Sequence, residues 1–322
     1  MPTLKTETKV KTVVMAAKKP FDLIIIGGGP AGLTAGIYAK RSKIDTVLIE
    51  KAVPGGLITT SEMIENYPGF PDGITGVDLG KRMEDQARKT GLDIIFGRVI
   101  QIETSKNTFS VHTDNDTFTA RSIIIATGGD PKKLGIKGEE AFTGKGVSYC
   151  ATCDGPFYKD KKVAVIGDDN LAIEEALSLT KHANTVTIFP RKNTMRAEPI
   201  LQDRAKSNPK IFFMFNAAIE EIAGDKKVSS IKIKDNASGN RSSVEVDGVF
   251  IYAGHKANTD FMKGQIKLDE NGKIVTDDDL ATNVPGIFAA GDVRAKDMWQ
   301  AITSAADGAI AANSVRKFLE NK

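Results

Sequence analysis

Cys150 and Cys153 are the only cysteines of this chain, and Asp154 follows them directly. Two sulfurs at this spacing on one turn can close a small ring and open it again, which makes them a candidate redox pair. A carboxyl group beside such a pair is a candidate proton donor and acceptor, although an aspartate before a glycine is also a common turn former. The motif therefore indicates dithiol chemistry rather than a disulfide framework.

Two other interpretations of the cysteines are weaker. A zinc site needs further soft ligands, and the three histidines, His112, His182 and His255, are not paired at ligand spacing. The cysteines could also be two small buried apolar residues that happen to be neighbours. We predict no metal site.

The composition is that of a globular protein with balanced charge. Hydrophobic residues make up 41% and charged residues 26% of the chain, and 44 basic against 41 acidic side chains leave a net charge of +3. So small an excess does not indicate a nucleic-acid groove or a membrane-binding face. No apolar run approaches the roughly 20 residues that cross a bilayer. We therefore expect this protein to bind neither nucleic acid nor a membrane.

Residues 1–19 form a lysine-rich segment that we interpret as an N-terminal extension. Its apolar patch, Val13 to Ala17, is shorter than the core of a signal peptide. We therefore expect a cytoplasmic protein. In that reducing compartment a cysteine pair is more often catalytic than structural.

A glycine-rich turn follows the first buried strand pattern. The residues from Gly27 to Gly32 spell G-x-G-x-x-G between a strand and a helix, and Glu50 ends the next strand roughly 20 residues later. Gly27 permits the tight turn, Gly29 lets a pyrophosphate approach the backbone, and Gly32 lets helix and strand pack closely. The helix N-terminus attracts phosphate and Glu50 can bind ribose hydroxyls, so the pattern predicts a dinucleotide site.

A second unit of the same shape begins at Lys162. A strand over 163–167, a helix over 171–179 and a strand over 185–189 repeat the first pattern. The repeat predicts an α/β fold of two Rossmann-like, three-layer (ββα) nucleotide-binding domains, with the second inserted into the first. A final amphipathic helix is predicted over 301–319.

In this order the motifs resemble those of the low-molecular-weight thioredoxin reductases, which are FAD-dependent pyridine nucleotide–disulfide oxidoreductases. The resemblance covers nearly everything after Pro20. Besides the first glycine turn, the matching segments are Glu65 to Gly69, Ile125 to Gly128, Cys150 to Gly155, Gly286 to Asp292 and Gln300 to Ile302.

The resemblance implies domain boundaries and an assembly. An FAD-binding domain would comprise residues 20–130 and 258–322, and an NADPH-type domain carrying the cysteines would comprise residues 131–257. The connections between the two would act as hinges. Homodimers are the family norm, and we expect one here.

The resemblance also implies the roles of individual residues. Cys153 would lie against the flavin, while Cys150 as thiolate would attack the disulfide of thioredoxin or a thioredoxin-like protein, and Asp154 would move the proton. Asp292 and Asn66 could equally be a cap and a turn residue. The implied FAD contacts are Gly27, Gly29, Pro30, Ala31, Gly32, Glu50, Gly56, Leu57, Asn66, Thr127, Gly128, Gly291, Asp292, Gln300 and Ala301.

Two positions near the implied flavin site depart from the family pattern. Leu57 stands where a glutamine is common, and Trp299 stands where a basic residue is usual. Trp299 could alter the flavin surroundings or the nucleotide-facing surface, or it could pack in the seam between the domains.

The second glycine turn departs further. Gly167 keeps the first glycine and Ala172 can serve for the last, but Asp169 stands where a pyrophosphate must touch the backbone, next to Asp168. Repulsion between two carboxylates and a nearby phosphate weakens binding by a few kcal/mol in a partly screened cleft. The helix N-terminus stabilises a bound anion by only about 0.3–1 kcal/mol per charge. An aspartate here could also cap the free N–H groups in place of the phosphate.

The loop after the second unit argues in the opposite direction. Arg191, Lys192 and Arg196 match the family's 2′-phosphate-binding loop, although a solvated basic loop is the simpler interpretation. On balance we predict that this degenerate site binds NADPH and NADH poorly. Electrons would then come from a separate protein, an iron–sulfur or flavin carrier, because the chain has no further cysteines for a cluster.

Three other functions remain open at this stage. The chain could reduce a partner of a glutaredoxin or peroxiredoxin system, it could be a redox-sensing flavoprotein without turnover, or it could be a ferredoxin–NADP reductase of the same fold. The cysteine pair argues against the last two, since neither role requires a dithiol beside a flavin.

Overall fold

A computed structural model describes residues 19–61, 63–106, 108–191, 193–262 and 264–321. Nearly all of the N-terminal extension, and Lys192, lie outside these residues. The first part of the chain contains β1 (Phe21–Ile26), α1 (Pro30–Arg41), β2 (Thr46–Glu50), α2 (Gly76–Lys89), β3 (Asp93–Phe96), β4 (Val99–Thr104), β5 (Phe109–Thr113), β6 (Thr117–Ile125) and β7 (Gly129–Pro131).

The middle and the end of the chain carry the remaining elements. These are β8 (Val147–Ser148), α3 (Ala151–Asp154), β9 (Lys162–Ile166), α4 (Asn170–Leu179), β10 (Thr185–Phe189), α5 (Pro199–Ser207), β11 (Ile211–Phe213), β12 (Ala217–Gly224), β13 (Val228–Asp235), β14 (Arg241–Glu245), β15 (Gly248–Ile251), β16 (His255–Ala257), β17 (Ile287–Ala289) and α6 (Ala301–Glu320). Short 3-10 helices cover Gly56–Thr60, Gly155–Tyr158, Asp260–Met262 and Gly291–Val293.

The first sheet is built from both ends of the chain. Its strand order is β3-β2-β1-β6-β5-β4, and β17 pairs with β6. Strand β1 runs parallel to β2 and β6, and β17 is parallel to β6. The apolar run Leu23 to Ile26 is buried, as expected for a parallel strand covered on both faces. The chain thus returns to this sheet after the whole middle segment.

The second sheet is parallel and lies between two other layers. Its order is β11-β10-β9-β15-β8, and the antiparallel strands β12-β13-β14 form a separate sheet. Val163 and Val165 of β9 pack towards α4 and α5, whereas Ala164 and Ile166 pack towards the antiparallel strands. The alternation along β9 fills one core on each face. The predicted α/β class with two Rossmann-like domains is confirmed.

The predicted elements deviate little from the observed ones. Helix α4 begins one residue earlier than predicted, because the cap is Asp169, and α6 extends to Glu320. Strands β7 and β16 pair with each other where the chain passes between the two sheets. We propose that this two-stranded pair is the hinge between the domains.

Among the described residues, Thr152 and Arg204 make side-chain contacts between the domains. Thr152, between the cysteines, donates a hydrogen bond from Oγ1 to the carbonyl oxygen of Thr60 at 2.5 Å. Arg204 of α5 forms an ion pair with Glu65 at 2.7 Å. The segment that carries the cysteines therefore lies against the 3-10 helix at Gly56–Thr60.

Glu174 of α4 lies in an acidic cluster at this contact. Burial, together with the negative charges of Glu175, Glu198, Glu65 and Asp169, raises the pKa of Glu174 to about 7. A carboxyl whose pKa is raised in the folded state stabilises the fold most at low pH. That stability is lost as the pH rises from the unfolded value of 4.5 through about 7.

We expect Glu174→Gln to raise the free energy of unfolding at pH 8 by about 1–3 kcal/mol and to change it little at pH 5. The reason is that glutamine removes a charge that the folded protein accommodates poorly. Urea unfolding at the two pH values measures the difference. The exposed Glu270→Gln serves as the control, and an equal effect of Glu174→Gln at both pH values would contradict the assignment.

Candidate active site

The cysteine pair forms a disulfide at the start of α3. Cys150 is the N-cap, and its sulfur accepts a hydrogen bond from the backbone N–H of Cys153 at 3.2 Å. The N–H of Cys150 donates to Ser148 Oγ at 3.1 Å, and its carbonyl accepts from the N–H of Asp154 at 3.1 Å. Cys153 is exposed and Cys150 is half-buried. An accessible sulfur in a fixed main chain suits thiol–disulfide exchange.

Asp154 lines a groove beside the disulfide. The groove has a volume of about 310 Å3, and its aromatic residues are Phe157 and Tyr158. Phe157 is 72% exposed. The other lining side chains are Lys145, Val147, Lys161, Lys227 and Asp247. The groove therefore combines one exposed aromatic ring with an excess of positive charge.

The first glycine turn has the geometry of an anion site. Gly27 has φ +103°, and a Cβ there would lie 2.4 Å from the carbonyl oxygen of Ala126. A Cβ on Gly32 would collide with the carbonyl oxygen of Gly27, so only glycine permits this approach of helix and strand. Gly29 is the N-cap of α1, and among the described residues no side chain caps this helix. Its first N–H groups are available to a phosphate.

Glu50 lies next to this turn and is 7% exposed. Its Oε2 accepts from the N–H of Gly28 at 2.5 Å, and its Oε1 accepts from the N–H of Ala52 at 2.8 Å. Each carboxylate oxygen can accept a second hydrogen bond. The open helix end, with Pro30 and Ala31 in its first turn, and the neighbouring acid together fit the pyrophosphate and ribose of FAD.

The remaining flavin-site candidates come from distant parts of the chain. Asn66 Nδ2 donates to Gln300 Oε1 at 3.3 Å, immediately before Ala301 starts α6. Asp292 Oδ1 accepts from Ser304 Oγ of α6 at 2.9 Å. Residues Gly56 and Leu57 are half-buried in the 3-10 helix, and Thr127 Oγ1 donates to the carbonyl of Asn258 at 2.8 Å, next to Gly128.

One residue of this region was missed from the sequence. Asp307 of α6 accepts from the N–H of Gly291 at 2.9 Å and pairs with Arg294 at 2.9 Å and Lys296 at 3.1 Å. It thereby fixes the turn that presents Asp292. A lone aspartate among the small residues of this helix was the available signal, because a buried carboxylate needs partners.

Trp299 lies partly at the surface. Its side chain is 45% exposed, and Lys273 Nζ lies 3.5 Å from the centre of the indole ring. This is a cation–π contact.

The second glycine turn is filled by its own side chains. Asp169 is the N-cap of α4, and its carboxylate accepts from the N–H of Ala172 at 3.1 Å. Asp168 is fully buried. Its carboxylate accepts hydrogen bonds from Arg196 at 2.8 and 3.2 Å and from Arg191 at 3.4 Å. The cap formed by Asp169 is the one that the sequence suggested for an aspartate here.

The charge of Asp168 is stabilised by the two arginines. Burial acts to raise the pKa of Asp168, but the hydrogen bonds and charges of Arg196 and Arg191 outweigh burial and lower this pKa below its usual value. Arg191 also donates to the carbonyl of Ala253 at 2.8 Å. The two arginines that match a 2′-phosphate loop are therefore bound to a carboxylate next to Gly167, not simply solvated.

Within the described segments, no three His, Cys, Asp or Glu side chains are placed to hold a metal ion. None of the helices that the structure describes has the length and apolarity that a bilayer crossing requires.

Comparisons with known proteins agree with this architecture. Residues 21–309 match the pyridine nucleotide-disulphide oxidoreductase family. The thioredoxin reductase of Listeria innocua is 45% identical over 304 residues, which cover 94% of this chain and 95% of the relative. The crystal structure of Lactococcus lactis thioredoxin reductase in its FR conformation is 42% identical with a TM-score of 0.92, and covers 94% of this chain and 100% of the other.

A second solved structure gives a similar result. The thioredoxin reductase of T. acidophilum is 38% identical with a TM-score of 0.89, over 94% of this chain and 99% of the other. With the glycine turn, the disulfide and the inserted second domain in place, this chain belongs to the pyridine nucleotide-disulphide oxidoreductases and, within them, to the low-molecular-weight thioredoxin reductases.

Proposed function

We propose that this chain passes electrons from FAD through Cys150 and Cys153 to thioredoxin or a thioredoxin-like protein, and that it uses NADPH and NADH poorly. The observation that carries the first part is the disulfide of an accessible CxxC, held against the flavin-binding domain by Thr152. The observation that carries the second part is the carboxylate of Asp168 bound to Arg191 and Arg196.

The chain's own residues supply the cradle for FAD. The free N–H groups at the start of α1 would hold the pyrophosphate, and Glu50 would hold the ribose. Asn66 and Gln300 would position the flavin from the side of α6. When bound, FAD would be the two-electron carrier that provides the electrons for reduction of the Cys150–Cys153 disulfide.

The dithiol then completes the exchange without further groups. The Cys150 thiolate attacks one sulfur of the partner disulfide, forms a mixed disulfide and releases the other partner sulfur as a thiolate. The sulfur of Cys153 attacks Cys150, the mixed disulfide breaks, and the reduced partner leaves while the Cys150–Cys153 bond closes again. Asp154 accepts and returns the thiol proton from within the groove.

The groove beside Asp154 supports a protein partner of complementary character. Phe157 is exposed at 72%, which suits an aromatic anchor in a protein interface. Lys145, Lys161 and Lys227 line the same groove, so the favoured partner presents an apolar patch with acidic neighbours. A thiol exchange of this kind fits the reducing cytoplasm.

The state of the second glycine turn argues against pyridine nucleotides as donors. A pyrophosphate would have to displace the Asp169 carboxylate from the N-terminus of α4, and a 2′-phosphate would have to compete with Asp168 for both arginines. Repulsion between a carboxylate and a phosphate in close contact weakens nucleotide binding by a few kcal/mol. We propose that a separate reduced iron–sulfur or flavin protein supplies the electrons.

We also propose a homodimer. Ile302 and Ile310 of α6 are 37% and 43% exposed, and with the exposed Ala306 they lie on one face of the helix at i, i+4 spacing. Exposed apolar side chains aligned on a helix indicate an interaction surface, and a second copy of the chain is the occupant that the family norm favours.

Anaerobic dithionite titration tests the electron path. We expect the FAD-loaded protein to take up four electrons, two on the flavin and two on the disulfide, and the Cys150→Ser/Cys153→Ser variant to take up two. Absorbance of the flavin and thiol counting give the stoichiometry. Uptake of two electrons by the unaltered protein would contradict the proposal and favour a redox sensor.

Charge reversal in the groove tests the partner surface. With dithionite-reduced enzyme, Lys145→Glu/Lys161→Glu should raise the KM for thioredoxin about tenfold, equivalent to about 1.4 kcal/mol of binding, with little change in kcat. The exposed Lys89→Glu on α2 is the control. An unchanged KM in the double variant would show that the partner binds elsewhere.

Glycine substitutions test the nucleotide site, with kcat/KM for NADPH and NADH as the readout. Asp169→Gly should raise both values by a similar factor, because both cofactors carry the pyrophosphate. Asp168→Gly should raise the value for NADPH about tenfold more than that for NADH, because Arg191 and Arg196 become free to bind a 2′-phosphate.

The control for the glycine substitutions is Asp225→Gly, which removes an exposed carboxylate from the turn between β12 and β13. Flavin content and thermal unfolding show that each variant is folded. Full turnover of the unaltered protein with NADPH, or no gain in either glycine variant, would contradict the proposed blockage.

A further inference from the structure

A buried tyrosine connects the redox motif to the interior of the inserted domain. Tyr252 follows β15 and is 6% exposed. Its hydroxyl oxygen accepts a hydrogen bond from the backbone N–H of Ala151, between the two cysteines, at 3.0 Å. The same hydroxyl donates to Oε2 of Glu175 at 3.3 Å. A chain of two hydrogen bonds therefore runs from α4 to the CxxC motif.

Glu175 makes this connection strong. It is a carboxyl side chain of α4 that is only 2% exposed. Burial and the negative charge of Glu175 raise the pKa of Tyr252 well above its usual value, so the phenol remains a donor throughout the working pH range. Consecutive hydrogen bonds in a buried setting polarise and strengthen one another.

The peptide that Tyr252 holds is the one that follows the attacking sulfur. Ser148 holds the N–H of Cys150, and Asp154 holds its carbonyl. The next N–H, that of Ala151, donates to the hydroxyl of Tyr252, which lies outside the motif. The conformation of the motif thus depends on a residue that lies 101 positions away in the sequence.

We propose that Tyr252, oriented by Glu175, is a positioning residue that sets the equilibrium between the Cys150–Cys153 disulfide and the dithiol. This inference rests on the dithiol chemistry proposed above. Closing the disulfide ring costs less conformational entropy when the main chain is already fixed. The anchor therefore favours the disulfide and makes the dithiol a stronger reductant.

Removing the hydroxyl affects the two redox states unequally. In the disulfide state the ring still restrains the motif, whereas in the dithiol state the released peptide can move and bind water. The loss of the hydroxyl therefore stabilises the dithiol relative to the disulfide, and the reduction potential of the cysteine pair becomes less negative.

The experiment is a redox titration of the FAD-loaded full chain in dithiothreitol buffers. Acid quenching, alkylation of free thiols and mass measurement give the dithiol fraction. We expect Tyr252→Phe to shift the dithiol:disulfide equilibrium about fivefold to tenfold towards the dithiol; a tenfold shift corresponds to about 30 mV for this two-electron couple.

Tyr149→Phe is the matched control. Tyr149 precedes the motif in the same domain, and its hydroxyl donates to Oε1 of Glu139 at 2.7 Å. The substitution thus removes a Tyr–Glu hydrogen bond of the same kind that does not reach the N–H of Ala151. It should leave the equilibrium within twofold of the unaltered protein, whatever it does to thermal stability.

A second variant covers the possibility that Tyr252→Phe fails to fold. Glu175→Gln keeps an accepting oxygen but removes the charge, and it should shift the equilibrium in the same direction by at least twofold. A shift below twofold in the folded Tyr252→Phe or Glu175→Gln protein, or an equal shift in Tyr149→Phe, would overturn this inference alone. A pair that does not titrate even in the unaltered protein would overturn the proposed function and this inference together.

Discussion

The N-terminus of each Rossmann helix faces the carboxyl end of its strand, and what occupies that N-terminus determines whether an anion can bind. The chain builds the same strand–turn–helix unit twice. In α1 the cap is Gly29, which leaves backbone N–H groups open, whereas in α4 the cap is the carboxylate of Asp169. A phosphate and a carboxylate compete for the same donors. The two helix N-termini thus differ in whether a side chain caps them.

Asp168 is a second difference between the two sites. Burial of its carboxylate alone would destabilise the folded protein, but Arg191 and Arg196 neutralise its charge. The arginines that match a 2′-phosphate-binding loop are thus paired within the inserted domain. The same domain carries the cysteines. Thr152 places them against the 3-10 helix at Gly56–Thr60, and Tyr252 fixes the peptide between them.

Local patterns explain how much could be predicted from the sequence. The glycine turn at Gly27, the CxxC motif and the repeat of strand, turn and helix depend on residues close together in the chain, and the structure contains all three. The cap of Asp169 was also foreseeable, because it contacts a residue three positions away. The hydrogen bond between Tyr252 and Ala151 joins residues 101 positions apart, and nothing in the sequence near either residue indicates the pairing.

We propose that the side chains of Asp168 and Asp169 take the place of the pyridine nucleotide. Rapid anaerobic mixing of the FAD-loaded, unaltered protein with excess NADPH tests it most directly, with flavin absorbance as the signal and dithionite as the positive control. We expect dithionite to bleach the flavin and NADPH to leave it oxidised over many seconds. Full bleaching by stoichiometric NADPH within milliseconds would contradict it.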